Sequence, residues 1–409
     1  MPENFDFLTK EQNLLIKVLS EVLFPEGKFP SADGADFLKL WNESQLQTVS
    51  VLVFNKMPLV SFSAEAVAFV KNNLNNWFLK NILIAREHTR LHKMLEGAGI
   101  SYVIIKGMAS ARFYPDDLMR MMGDVDFLVK ECDMEKVNKL LESDGYTARR
   151  KEHSHHITYN KNGIRAEMHF LPPGIPEGKT GDLIKAYFCN ITDEAKEEKT
   201  SVGSINVPSD FHHGMLLLLH TIHHLTGDGL GLRHLCDWAV FVSSFTEEQF
   251  REMFEEKLKS AGMWEFAKIL TKTCEMFLGA PRILSNNDAR ESVCKKLIAD
   301  IFSSGNFGQK SENRSHESLL ISSKNQKGIK EKSLFSQGIK SINEIVYRNW
   351  TFVRKYKLLL PLGWLFFCGR YVFRSLRGKR PSIHLKTVFS EAALRKELYS
   401  ELKLFEVET

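Results

Sequence analysis

Two aspartates one residue apart, Asp124 and Asp126, open the apolar run Val125, Phe127, Leu128 and Val129. Such a run reads as a short buried strand, and a strand sends residues i and i+2 to one face, so the two carboxylates point the same way. Buried side by side they repel, an unfavourable state until a cation or a proton neutralises one of them. A divalent metal is the usual answer. Further on, the apolar segments Ile157 to Tyr159 and Ile164 to Phe170 flank Asn160-Lys161-Asn162-Gly163, whose Asn-Gly suits a hairpin turn with positive φ. The second arm carries Glu167, with His169 on the same face. That hairpin can return Glu167 beside the aspartates, so Asp124, Asp126 and Glu167 are the expected metal site.

Other residues nearby have types suited to phosphate. Tyr102 to Ile105 is another apolar strand, ending in Lys106-Gly107, where the glycine allows close backbone approach and the lysine offers a charge. Ala109 to Tyr114 reads as the start of a helix, and helix N-termini favour anions. Arg120 precedes the acidic strand by a few residues, where it could balance that charge, touch a phosphate or lie in solvent. A helix from Asp133 to Asp144 and Gly145-Tyr146 then carry the chain back to the sheet.

These elements need a frame. From Lys10 to about Leu95 apolar residues recur at helical spacing, with breaks at Phe24-Pro25-Glu26-Gly27 and Met57-Pro58, and the last helix, roughly Val67 to Glu96, packs against the sheet. Lys179 to Val207 reads as an insertion with a helix and a short strand. A further helix follows Ser209-Asp210 and bears His220 and His224 one turn apart. The sequence names no third ligand for that pair, so polar contacts rather than stoichiometric zinc are expected there. His153 and His155 alternate to one face and His156 to the other, which suits surface or substrate contacts. Arg233 and Asp237 lie one helical turn apart and are able to pair.

The string Lys106-Gly107, Tyr114-Pro115, Arg120, Gly123-Asp124-Val125-Asp126, Gly145-Tyr146 and Glu167-Met168-His169 resembles the polymerase β type nucleotidyltransferase superfamily. Within it, the chain resembles the uncharacterised nucleotidyltransferase family of bacterial polysaccharide and peptide biosynthesis loci. His220 to Trp238 and Gly305-Asn306-Phe307-Gly308 carry the likeness more loosely. The resemblance implies an α+β fold, a small mixed sheet with helices embedded between N-terminal and C-terminal helical domains. It also implies transfer of a nucleotidyl group from an NTP such as ATP to a hydroxyl of a small molecule, sugar or modified peptide. Asp124, Asp126 and Glu167 would hold Mg²⁺ or Mn²⁺ and serve catalysis, Lys106, Gly107 and Arg120 would bind the nucleotide, and His169, Arg233 and Asp237 would face the substrate. The chain departs at the turn: Met108 stands where most of the superfamily has glycine or serine. That favours an alternative, a catalytically silent nucleotide-binding protein of the same fold.

Composition sets bounds. At 409 residues the chain has room for several units, read as 1–95 helical, 96–208 the transferase core, 209–302 helical, 303–335 a mobile loop and 336–409 a tail. A net charge of +5 without long runs of like charge argues against nucleic acid as partner. The six cysteines are scattered and form no Cys-x-x-Cys, pointing to a reducing compartment. The first residues lack a basic segment followed by an apolar one, so a cytoplasmic location is expected. From Leu358 to Arg380 an apolar run with Trp364 and Phe366 leads into basic residues, which suits contact with anionic lipid at the inner membrane, and a lipid-surface scaffold is the second alternative.

Overall fold

A computed structural model describes residues 2–149, 156–311, 314, 339, 342, 343, 345–347, 349–376 and 385–407. Helices α1 (Lys10–Leu23), α2 (Phe37–Leu46), α3 (Ser50–Lys56) and α4 (Ala64–Gly97) come first. Thr9 starts α1 with a capping box closed by Gln12, and Ser63 caps α4 by accepting from the Ala66 N–H. The chain leaves α1 and α3 at the proline breaks that the sequence marks. Along α4 the apolar stripe changes partners: Val70 and Leu74 join the large helical core, whereas Ile84, Ala85, Leu91 and Leu95 pack under the sheet.

That sheet contains β1 (Tyr102–Ile104), β2 (Val125–Val129), β3 (Thr147–Arg149), β4 (His156–Lys161) and β5 (Ile164–His169) in the order β1-β2-β5-β4-β3. Only β2 and β5 run parallel, and the crossover between them holds α6 (Met134–Ser143), β3 and β4. Asn162 and Gly163, with φ of 51° and 79°, make the tight turn between β4 and β5. Period-two alternation divides the strands. Val125, Phe127, Val129, Ala166 and Met168 bury in the core that α4 and α6 cover, leaving Asp126, Leu128, Glu167 and His169 on the other face. Leu128 and Val103 join the helical core on that side. The carboxylates therefore lie between the sheet and the helices.

The insertion holds α7 (Lys179–Tyr187) and a hairpin of β6 (Lys196–Thr200) with β7 (Gly203–Val207), where one strand was expected. The first arm, Lys-Glu-Glu-Lys-Thr, has no apolar alternation to reveal it; Ile205 and Val207 on its partner supply the burial. Helices α8 (Asp210–Thr226), α9 (Leu232–Val242), α10 (Glu247–Ser260), α11 (Trp264–Leu278) and α12 (Glu291–Ser304) build the large core. Most of the expected loop after Ser303 lies outside the described residues. Beyond it, α13 (Leu360–Leu376) and α14 (Leu385–Glu401) follow. Near the end of the chain Leu398, Tyr399, Leu402 and Leu404 enter the large core, and Lys296 bonds Glu397 at 2.7 Å and Glu401 at 2.9 Å. No described helix is long and apolar enough to cross a membrane.

One buried ion pair joins sheet and helices. Arg120 Nε and Nη2 donate to the two oxygens of Asp237 on α9, each at 2.7 Å, and the Tyr114 hydroxyl adds a bond of 2.7 Å to Oδ1. Arg120 and Asp237 are 5% and 4% exposed, so removing one partner leaves the other charge stranded. Arg120→Met is expected to lower unfolding stability by about 3–5 kcal/mol. Urea unfolding followed by circular dichroism reads this out, and a midpoint equal to the parent's would show that the pair does not tie the two parts together.

Candidate functional site

The parallel register of β2 and β5 sets Asp126 directly across from Glu167, and Leu128 across from His169. Asp124 sits one residue ahead of β2. The Ile105 N–H donates to the Asp126 carbonyl at 3.0 Å, continuing the ladder past β1 and bringing Lys106 to the site. Lys106 Nζ stands 3.3 Å from Asp126 Oδ1, and His169 Nε2 reaches the same oxygen at 3.0 Å. His169 Nε2 is also 3.6 Å from Glu167 Oε2, which His156 Nε2 approaches to 3.8 Å from the other side. Arg165 bonds Asp124, and its Nε lies 3.5 Å from Glu167 Oε1.

Three carboxylates in one place cannot share this environment equally. Burial works against the charged form of Asp126, but the Lys106 ammonium and the His169 hydrogen bond outweigh it and hold that carboxyl well below the usual range. Glu167 is also lowered, with burial opposed by the nearby His169 imidazole. Asp124 goes the other way: burial and the Asp126 charge raise it despite Arg165 and Lys106. The fixed cations thus fall short of neutralising the trio. Carboxylate oxygens gathered in this way suit a hard divalent cation, and the imidazoles beside Glu167 also admit Mn²⁺.

The other expected residues divide. Gly107 has φ of +56°, and a Cβ there would stand 2.8 Å from His88 Nε2, so the glycine is required both by backbone conformation and by close approach. The helix after it, α5 (Met108–Ala111), is one turn long and lacks the dipole expected at a phosphate site, which leaves Lys106 as the cation at this turn. Arg120, expected at the phosphate, commits two guanidinium nitrogens to Asp237. Asp237, expected at the substrate, is taken by Arg120 and Tyr114 instead of pairing along its helix with Arg233. The nearer partner wins because it is fixed by tertiary packing, whereas an i,i+4 pair must hold two mobile side chains. Arg233 donates to the Met121 carbonyl at 3.0 Å, and its buried Nε has no hydrogen-bond partner among the described residues.

Sequence reasoning passed over Arg165, although alternation puts it on the face of Glu167 and His169. It also missed His88 and His234, which only packing brings in. His234 on α9 meets His220 and His224 of α8, one nitrogen from each lying within 4.8 Å of the others. That brings a third histidine to the pair, one the sequence could not name. A second group, His156, Glu167 and His169, meets the same distance. His153 and His155 lie outside the described residues.

Residues 30–279 match the family model of the uncharacterised nucleotidyltransferases. Among solved structures, an antigenic nucleotidyltransferase-like protein from Paracoccidioides brasiliensis is similar, with 13% identity, 53% of this chain and 98% of that chain covered, and a TM-score of 0.34. Curated proteins give no match.

Burial holds the His88 imidazole neutral, lowering its pKa from 6.5 to about 4. In that window the unfolded chain binds the proton and the folded one does not, so stability rises with pH, is fully present above about pH 6.5 and is lost toward pH 4. The contribution is on the order of 3 kcal/mol. Burial lowers His213, His220 and His234 too, with the same sign. Urea midpoints should therefore fall between about pH 7 and pH 5, and His88→Leu should flatten part of the slope. A pH-independent midpoint would contradict the neutral buried imidazoles.

Proposed function

This chain belongs to the uncharacterised nucleotidyltransferase family, and from that premise we propose that it moves a nucleotidyl group from an NTP to a hydroxyl of a small molecule, sugar or modified peptide, with a divalent cation at Asp124, Asp126 and Glu167. The observation that carries this reading is the register pairing Asp126 with Glu167, with Asp124 beside them. Bound there, Mg²⁺ or Mn²⁺ would neutralise triphosphate charge and polarise the phosphoryl group.

The chain's own residues have separate tasks. Asp124 and Asp126 would hold the cation, and His169 orients Asp126 by its hydrogen bond. Glu167 completes the set and takes the acceptor's proton. Lys106, 3.3 Å from Asp126 Oδ1, is the cation placed to meet phosphate oxygens. Arg165, half exposed beside Asp124, offsets the remaining negative charge. Arg233 has donor capacity to spare for substrate. Arg120 and Asp237 are positioning residues that fix α9, and Gly107 lets the Lys106 turn close over His88. ATP and an acceptor from polysaccharide biosynthesis are the first pair to try.

A silent protein of the same fold is favoured by Met108 and the one-turn α5. The two readings part in one experiment, pyrophosphate release with each of the four NTPs alongside thermal unfolding with and without Mg-NTP. Transfer predicts release and stabilisation; silence predicts stabilisation alone. Glu167→Gln should reduce turnover by about 10²-fold or more while still binding Mg-NTP. Asp126→Asn should lose both turnover and the Mg-NTP shift in melting temperature. Equal Mg-NTP stabilisation of parent and Asp126→Asn would remove the carboxylates from the metal site.

The location that fits this chemistry is the cytoplasm, with peripheral contact to anionic membrane through Leu358 to Arg380. Its support is the exposure of Leu358, Leu362, Leu365, Phe366 and Phe373 on and beside α13. Trp364 turns inward, donating to Asn343 Oδ1 at 2.8 Å, and Trp350 packs on Phe366. Arg377, Lys379 and Arg380 lie outside the described residues. Sedimentation with anionic vesicles at low salt should recover the protein, and Leu365→Ser with Phe366→Ser should release it. Absence of the parent from the pellet would end the membrane assignment.

A further inference from the structure

We propose that His220, His224 and His234 form a site for one transition-metal ion of the zinc class, with a ligand set distinct from that of the carboxylate centre. His220 and His224 share a face of α8, and the turn through Gly227, Gly229 and Gly231 brings His234 at the start of α9 against them. The rings make a closed triangle, with centroids 4.3 Å apart for His220 and His224, 5.2 Å for His220 and His234 and 5.1 Å for His224 and His234. Among the described residues, His220 Nδ1 and His234 Nε2 are buried and have no hydrogen-bond partner. Buried polar atoms are nearly always paired, and a metal held by the trio would supply a partner.

The tautomer is also set. His234 Nδ1 faces the Gly231 carbonyl at 3.3 Å, so its N–H donates there and the lone pair remains on Nε2. An imidazole that ligates metal through one nitrogen commonly bonds a carbonyl through the other. Above the trio, Phe307 sets its ring 4.8 Å from that of His224 and holds a φ of 55°. A bulky residue is rarely found in that conformation without compensation. Here its N–H donates to the Gly229 carbonyl at 3.2 Å, fixing the Asn306–Gly308 turn over the cluster. Three neutral imidazoles select zinc and its neighbours over Mg²⁺, and three protein ligands leave a fourth position open. None of this depends on nucleotidyl transfer.

The experiment uses full-length protein without a histidine tag, loaded with Zn²⁺, freed of excess and measured by elemental analysis. One zinc per chain is expected, and Co²⁺ in its place should give the visible absorption of a tetrahedral nitrogen site. His224→Ala and His234→Ala should each weaken zinc binding by about a hundredfold or more. His156→Ala and Asp126→Asn should keep it, which separates this site from the group around Glu167. Far-ultraviolet circular dichroism identifies variants that fail to fold, and His234→Gln serves where alanine does. Folded parent without zinc above background overturns the proposal, as does zinc that survives His234→Ala or is lost with His156→Ala.

Discussion

Three carboxylates on and beside two hydrogen-bonded parallel strands repel one another, and the surrounding structure is arranged to limit that repulsion. Lys106 arrives by the extension of β1, Arg165 and His169 by alternation along β5, and His156 by its register against His169 on β4. The compensation is uneven. Asp126 and Glu167 stay readily charged while burial and the Asp126 charge push Asp124 toward its protonated form.

Helix α9 decides how the sheet meets the helices. Asp237 grips Arg120 just before the acidic strand, Arg233 reaches the Met121 carbonyl, and His234 turns toward α8. One helix of eleven residues therefore holds the approach to the carboxylates and one corner of the histidine cluster. A shift of α9 would disturb both places together. The strained Phe307 turn and the closely packed glycines at 229 and 231 belong to the same arrangement, since a Cβ at either glycine would press into the Asn306–Gly308 turn or its neighbours.

Nucleotidyl transfer at such a site fits the division of labour the geometry allows. The carboxylates face the interior between sheet and helices, Arg165 keeps half its surface open, and Arg233 has a nitrogen unspent among the described residues. Transfer chemistry needs charge control more than covalent participation. The residues gathered here supply charge control.

The sequence by itself determined β1, β2, the β4 and β5 hairpin with its Asn162-Gly163 turn and the common face of Glu167 and His169, because each follows from local periodicity and turn chemistry that no distant contact had to supply. It also carried enough of the family's string to identify the family. Arg165 was legible by the same alternation. What only the tertiary structure decided was the use of the long-range partners. Arg120 and Asp237 read as ligand-facing charges in one dimension, yet they lie far apart in sequence and meet as a buried pair. The His-x-x-x-His of α8 lacked a third member until the hairpin of helices delivered His234. Such pairings arise from packing of elements whose separation along the chain leaves no periodic signal, so one sequence could state which groups were available but not which would meet.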